Sequence, residues 1–171
     1  MKFCPLLRLA ALGLGVLGAS TAASDPMLDV RESIAIAAAP DVVWKAVKDF
    51  DNFGWHPAVA STRLTAGRNN EAQAVRTLIL KDGARITEQL RKHDDAQMVQ
   101  RYVILDSPLP VIDYAASIEV RTDEGGGSTV TWQSHFRRKA DPDTNDDTVR
   151  RMIGEILSSG LANLKKMLER T

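Results

Sequence analysis

The chain has 171 residues, 22 basic and 22 acidic side chains, three histidines and a single cysteine. That length holds one domain with chain enough for a real core. Balanced charge gives no electrostatic footprint for nucleic acid or an anionic membrane surface, and one cysteine excludes a disulfide scaffold.

At the N-terminus, Lys2 and Arg8 precede an apolar run from Leu9 to Leu17, followed by small residues from Gly18 to Ser24. The run is too short to span a bilayer, so residues 1–23 read as a secretory signal peptide cut after Ala22 or Ala23. A retained membrane anchor is the alternative. A lipoprotein fits poorly because Cys4 lies before the apolar run. Cleavage removes Lys2, Arg8 and Cys4, leaving a mature domain (24–171) with 20 basic against 22 acidic residues and no thiol chemistry. Its expected location is periplasmic or secreted, with no stable membrane anchor.

Val30, Glu32, Ile34 and Ile36 predict a first strand. Pro40 suits the first turn of a helix whose buried face is Val43, Val47 and Phe50. Asn52–Val59 reads as an irregular or helical link and counts as a second short helix. Strands follow at about Ala60–Ala66, Ala72–Lys81, Ala84–His93, Gln97–Leu105, Asp113–Thr122 and Ser128–Arg138. From Thr144 to Arg170, apolar residues at Val149, Ile153, Ile156, Leu157, Leu161, Leu164 and Leu168 mark one face of a long helix. Thr144 with Asp147 suggests a capping box, and Lys165, Lys166 and Arg170 complement the helix dipole at the other end. The fold class is α+β: a curved antiparallel sheet gripping the last helix.

Asp82-Gly83 predicts a two-residue hairpin, which sets Ile79 opposite Ile86, Thr77 opposite Glu88 and Val75 opposite Leu90. Val75, Ile79, Ile86 and Leu90 then share the concave face with Thr77 and Glu88, while Arg76 lies on the opposite face. A carboxylate on an apolar wall must be paired, hydrated in a cavity or protonated. The bland alternative is a rim glutamate bonded to Thr77 or a surface arginine. If Glu88 serves a ligand, Glu88→Ala alters affinity more than stability. Tyr114 shares an inward face with Ala116, Ile118 and Val120, and its hydroxyl needs a partner. Tyr102 and Ile104 share a parity, but Val103 and Leu105 are equally apolar and the pattern does not decide. In the last strand, alternation turns Val130, Trp132 and Phe136 inward and Thr131, Gln133, His135 and Arg137 outward.

Trp55-His56-Pro57-Ala58-Val59, Arg76-Thr77-Leu78, Glu88 within Ile-Thr-Glu-Gln-Leu, Pro108-Leu109-Pro110-Val111 with Asp113-Tyr114, and Val130-Thr131-Trp132 occur in that order. Together they resemble the START-like, helix-grip superfamily, within it the polyketide cyclase/dehydrase and SRPBCC group. The resemblance implies a seven-stranded antiparallel sheet of the START/Bet v 1-like kind around the C-terminal helix, enclosing a hydrophobic cavity. By its similarity to the plant abscisic acid receptors, it implies a ligand-binding set. His56 stands at a carboxylate-binding lysine, Glu88 and Tyr114 in a polar network, Tyr102 and Ile104 on the apolar wall, Gln133 at a pocket glutamate and Trp55 at the cavity mouth. Gln133 reaches the cavity only if a bulge shifts the parity of its strand. The signal-like start, the Trp-His-Pro-Ala-Val phrase and Gly160-Leu161 ahead of Leu164-Lys165 are also similar to the periplasmic accessory proteins of bacterial methanol dehydrogenase systems. That likeness implies a dehydrogenase or its cytochrome as partner.

His56, Glu88 and Tyr114 could serve as acid, base and oxyanion donor in a cyclase or dehydratase. The expectation favours a binding protein for a small apolar or amphipathic molecule, without a cofactor. No metal site is expected: the three histidines are far apart, and Asp141, Asp143, Asn145 and Asp147 lack the glycine and closing glutamate of a calcium loop. Trp55 could close the pocket or meet a partner. Gly160, costly inside a helix, could thin it beside the cavity or allow close packing.

Overall fold

The computed structural model describes residues 26–141 and 143–170. The expected signal peptide and Cys4 lie outside the described residues.

Seven strands form one antiparallel sheet: β1 (Leu28–Ile36), β2 (Val59–Ala66), β3 (Val75–Leu80), β4 (Arg85–Asp94), β5 (Val99–Asp106), β6 (Val111–Thr122) and β7 (Ser128–Arg138). Their spatial order is β1-β7-β6-β5-β4-β3-β2, a meander to which the first strand is added at the far edge. Helix α1 (Pro40–Val47) follows β1, and the long helix α2 (Asp146–Leu168) closes the chain. This is the helix-grip architecture.

Helix α2 buries Val149, Ile153, Leu157, Gly160, Leu161 and Leu164, the stripe expected from its periodicity. Its cap differs by one residue: Asn145, not Thr144, accepts from a backbone N–H, that of Thr148, at 2.9 Å. Helix α1 begins with Pro40 and buries Val43, Trp44 and Val47. The indole of Trp44 donates to Asp95 Oδ1 at 2.7 Å, which makes it a core residue with its polar edge satisfied.

No second short helix follows α1. Residues 52–58 form successive turns, with the His56 N–H donating to Phe53 O and the Val59 N–H to His56 O. Pro57 explains this, because proline disfavours the helical conformation at the residue before it.

The β3–β4 hairpin also differs. Its loop is Lys81-Asp82-Gly83, bounded by Leu80 N–H bonding Ala84 O at 2.9 Å, with the Gly83 N–H on Leu80 O at 3.0 Å. Gly83 has φ +90°, the left-handed conformation that closes a three-residue loop. The extra loop residue moves the register by one, so Arg76 opposes Glu88 and Leu78 opposes Ile86. Because side chains alternate, that shift turns Arg76 and Leu78 inward in place of Val75, Thr77 and Ile79.

Candidate functional site

Arg76 anchors the interior. It is fully buried, with Nε donating to Glu88 Oε2 at 2.7 Å and Nη1 to the Phe50 carbonyl at 2.9 Å. Nη2 also lies 2.7 Å from the same Glu88 oxygen, as an ion-pair contact without a well-directed hydrogen bond. The guanidinium is sandwiched 4.2 Å from the Phe50 ring and 4.3 Å from Phe53, with Tyr102 5.3 Å away. A delocalised, weakly hydrated cation suits such an aromatic cage. Burial raises the Glu88 carboxyl above its ordinary value, and the charge and hydrogen bond of Arg76 pull it back. Of the states open to Glu88 in the sequence, the structure takes the paired one.

Beside this pair lies a cavity of about 100 Å³ between sheet and helix. Leu78, Ile86 and Ile104 of the sheet, Trp132 of β7 and Ile156 of α2 provide much of its apolar lining. Glu88, Tyr102 and Tyr114 also border it, but its exposed wall is almost wholly apolar. Tyr102 is fully buried, and its hydroxyl accepts from the Trp132 indole N–H at 2.9 Å. Burial pushes both phenols up, so both remain protonated donors. On β5 the undecided parity resolves with Tyr102 and Ile104 inward and Leu105 exposed.

His56 also borders the cavity, but both ring nitrogens are engaged. The Ala58 N–H donates to Nδ1 at 3.2 Å, which assigns the proton to Nε2, and Nε2 donates to the Ile156 carbonyl on α2 at 3.0 Å. The residue is therefore a neutral bridge between the turns after α1 and the last helix. Burial lowers its pKa, partly offset by the Ile156 bond. Gly160 permits this approach: a Cβ there would stand 2.5 Å from His56 Cδ2 and 2.8 Å from Trp132 Cζ3. Of the two roles open to Gly160, close packing is the one it fills. His56 and Glu88 share no hydrogen bond.

Two of the sequence-derived ligand positions lie off the cavity. Trp55 is buried in an aromatic cluster, 4.5 Å from Phe53 and 5.3 Å from Trp132 between ring centroids. It neither lines the cavity nor offers an exposed anchor to a partner. Gln133 sits on the outer face between Arg31 and Ser117, because β7 keeps an unbroken register with β1 and no bulge shifts its parity. Alternation thus places Gln133 correctly where the resemblance does not.

Arg76 is the residue that sequence reasoning missed. The available signal was the Lys-Asp-Gly loop: counted as three residues with a left-handed glycine, it sets Arg76 directly across from Glu88. The remaining histidines are peripheral to the cavity, His135 on the surface beside Asp29 and His93 near Gln100 and Trp44. Asp141 and Asn145 serve as turn and helix caps, and no group of three metal-binding side chains gathers among the described residues.

Residues 27–169 match the sequence profile of the family described as polyketide cyclase / dehydrase and lipid transport. Among solved structures, the chain is similar to the protein XoxI of Bacillus cereus, at 27% identity and TM-score 0.75, covering 83% of this chain and 96% of that one. It is similar to an uncharacterised protein of Bacillus thuringiensis at 28% identity and TM-score 0.75, covering 82% and 98%. Ara h 8.0201 shares the fold at TM-score 0.69 and 14% identity, over 85% of this chain and all 100% of its own. No curated protein matches significantly.

Proposed function

The chain belongs to the polyketide cyclase / dehydrase and lipid transport family of the SRPBCC superfamily, and from that premise we propose that it binds a small apolar or amphipathic molecule between sheet and helix. The observation that carries this reading is the cavity itself: an apolar space of about 100 Å³ bordered by Glu88, Tyr102 and Tyr114. Its size limits the occupant. A dry cavity of roughly 150 Å³ holds benzene, so this one accepts a smaller molecule or one end of a larger one.

The same pair sets the polarity of what enters. Arg76 and Glu88 neutralise each other, so a buried anion would meet the Glu88 carboxylate at the wall and a buried cation would find that carboxylate already paired. A neutral group able to donate to Glu88 or bond a tyrosine hydroxyl fits best. This departs from the carboxylate beside His56 that the resemblance implies, since His56 has no free nitrogen. For the same reason, the alternative of a cyclase or dehydratase using His56 and Glu88 as acid and base has the weaker support.

Native mass spectrometry of the protein purified from its own source, followed by denaturation, tests the proposal. Release of one small molecule per chain supports it. An empty chain that also fails to bind a panel of small alcohols and arenes by NMR titration would refute it.

The finer proposal is that the protein acts after export, in the periplasm or outside the cell, as an accessory to a dehydrogenase such as methanol dehydrogenase or to its cytochrome. Its support is the likeness of the Trp-His-Pro-Ala-Val phrase and the C-terminal helix. Co-purification with the dehydrogenase or cytochrome at low salt is the expected result, and no association at any salt concentration would remove it.

A further inference from the structure

The inner cavity is smaller than ordinary ligand sites, which run to roughly 300–1,000 Å³, and the fold places a second space against it. β5 and β6 pair from Val99 and Glu119 to Val103 and Ala115, and beyond that point the ladder stops. Both strands are irregular there. β5 slips against β4 beside the Thr87–Glu88 step, and β6 carries a bulge between Ile112 and Ala115, with Asp113 at φ +53°. The parted strands border an open groove of about 590 Å³. Ile104 and Tyr114 are the two residues that border both the groove and the inner cavity.

We propose that groove and cavity form one site, entered between β5 and β6, for an amphipathic carboxylate whose tail passes Ile104 and Tyr114 while its head stays at Arg91 and Lys139. The inference rests on the ligand-binding reading above and adds the entry and the class of ligand. Three observations on the groove carry the chemistry. Leu105 and Ile112, 52% and 42% exposed, supply apolar side chains to a groove whose wall is otherwise largely polar. Asp113 is neutralised by Arg137 at 2.7 Å, which leaves Arg91 and Lys139 against Asp106 alone. The Arg76–Glu88 pair makes the interior unfavourable for any further charge, so a charged head belongs outside.

The test uses sodium octanoate and 1-octanol as probes in ¹H–¹⁵N NMR titrations of the protein and its variants. Octanoate is expected to shift the amides of Leu105 and Ile112 and, together with them, the indole N–H of Trp132 inside. Arg91→Gln with Lys139→Gln should weaken octanoate by about tenfold, roughly threefold per exposed charge, and leave octanol unchanged. Ile104→Trp should abolish the Trp132 response and keep that of the groove. Ile104→Ala, which widens the gap, should speed association several-fold and keeps the test valid if the larger residue prevents folding.

A Trp132 response that persists unchanged in Ile104→Trp would overturn the proposal while leaving ligand binding in place, because entry would lie elsewhere. Shifts confined to the groove, an equal loss for octanol, or a dimer that buries Leu105 and Ile112 would each overturn it too. If neither probe shifts Trp132 in any folded variant, the ligand-binding reading fails with it.

Discussion

Arg76 and Glu88 face each other in direct register across β3 and β4, and their side chains meet at 2.7 Å with almost no solvent contact. Removing either partner strands the other as an unpaired buried charge, a loss of about 3–5 kcal/mol, whereas replacing both with apolar groups is often close to neutral. Arg76→Met and Glu88→Leu should each lower the urea midpoint strongly, and the two together should recover most of the loss. By the same argument Glu88→Ala, which the sequence reading expects to change affinity more than stability, should cost stability strongly. Additive losses in the double variant would show that the pair does not act as a unit.

The two glycines of α2 should respond to alanine with opposite signs. At Gly154 a Cβ would meet only Glu32 Oε1 at 3.4 Å and Val30 Cγ1 at 3.8 Å, so Gly154→Ala should stabilise by up to about 1 kcal/mol through helix propensity. At Gly160 the new methyl would press into two packed rings, and Gly160→Ala should destabilise by about 1–3 kcal/mol despite the same propensity gain. Thermal unfolding of both variants decides the matter; equal shifts would mean that His56 and Trp132 yield freely.

His56 gives stability a pH dependence of defined sign. Its folded pKa lies below 6.5, so the fold prefers the neutral ring and the unfolded chain binds the proton more tightly. Its contribution is complete above about pH 6.5 and is lost as pH falls through the folded pKa. The His56 part is isolated by comparing urea midpoints of the native protein and His56→Gln at about pH 5 and 7.5. The gap between them should shrink at the lower pH, and a constant gap would clear His56 of the role.

Tyr102→Phe should remove the acceptor of the Trp132 indole and leave a buried N–H unsatisfied, at a cost of about 1–3 kcal/mol. The Trp132 indole proton resonance should move sharply in that variant, and an unmoved resonance would place the hydrogen bond elsewhere.

The strands and the last helix were legible to within a few residues because their periods, two and about 3.6, are written in consecutive side chains. The inward set Glu88, Tyr102, Ile104 and Tyr114 follows from that periodicity together with the resemblance. Arg76 escaped because register depends on the number of residues in a turn, and one more or fewer reverses every face of the strand. The role of His56 was illegible for another reason: its acceptor, the Ile156 carbonyl, lies 100 residues away and has no side-chain signature. Trp55 beside His56 and Pro57 resembles a cavity mouth in sequence, yet its ring packs behind Phe53, a choice made by local turns rather than by pattern.

The pairing of β1 with β7 has a kinetic consequence. Leu28–Ile36 comes first in sequence among the described strands, but its partners are Ser128–Phe136. While the meander from β2 to β7 assembles through near neighbours, the first strand has no ladder to join, and its apolar residues Leu28, Val30 and Ile36 wait exposed. Contacts of such long sequence separation slow folding, and the vacant edge of β7 is in the meantime a template for a strand from another chain. Aggregation during refolding should therefore begin at β7, and a peptide with the sequence of β1, supplied in excess, should suppress it.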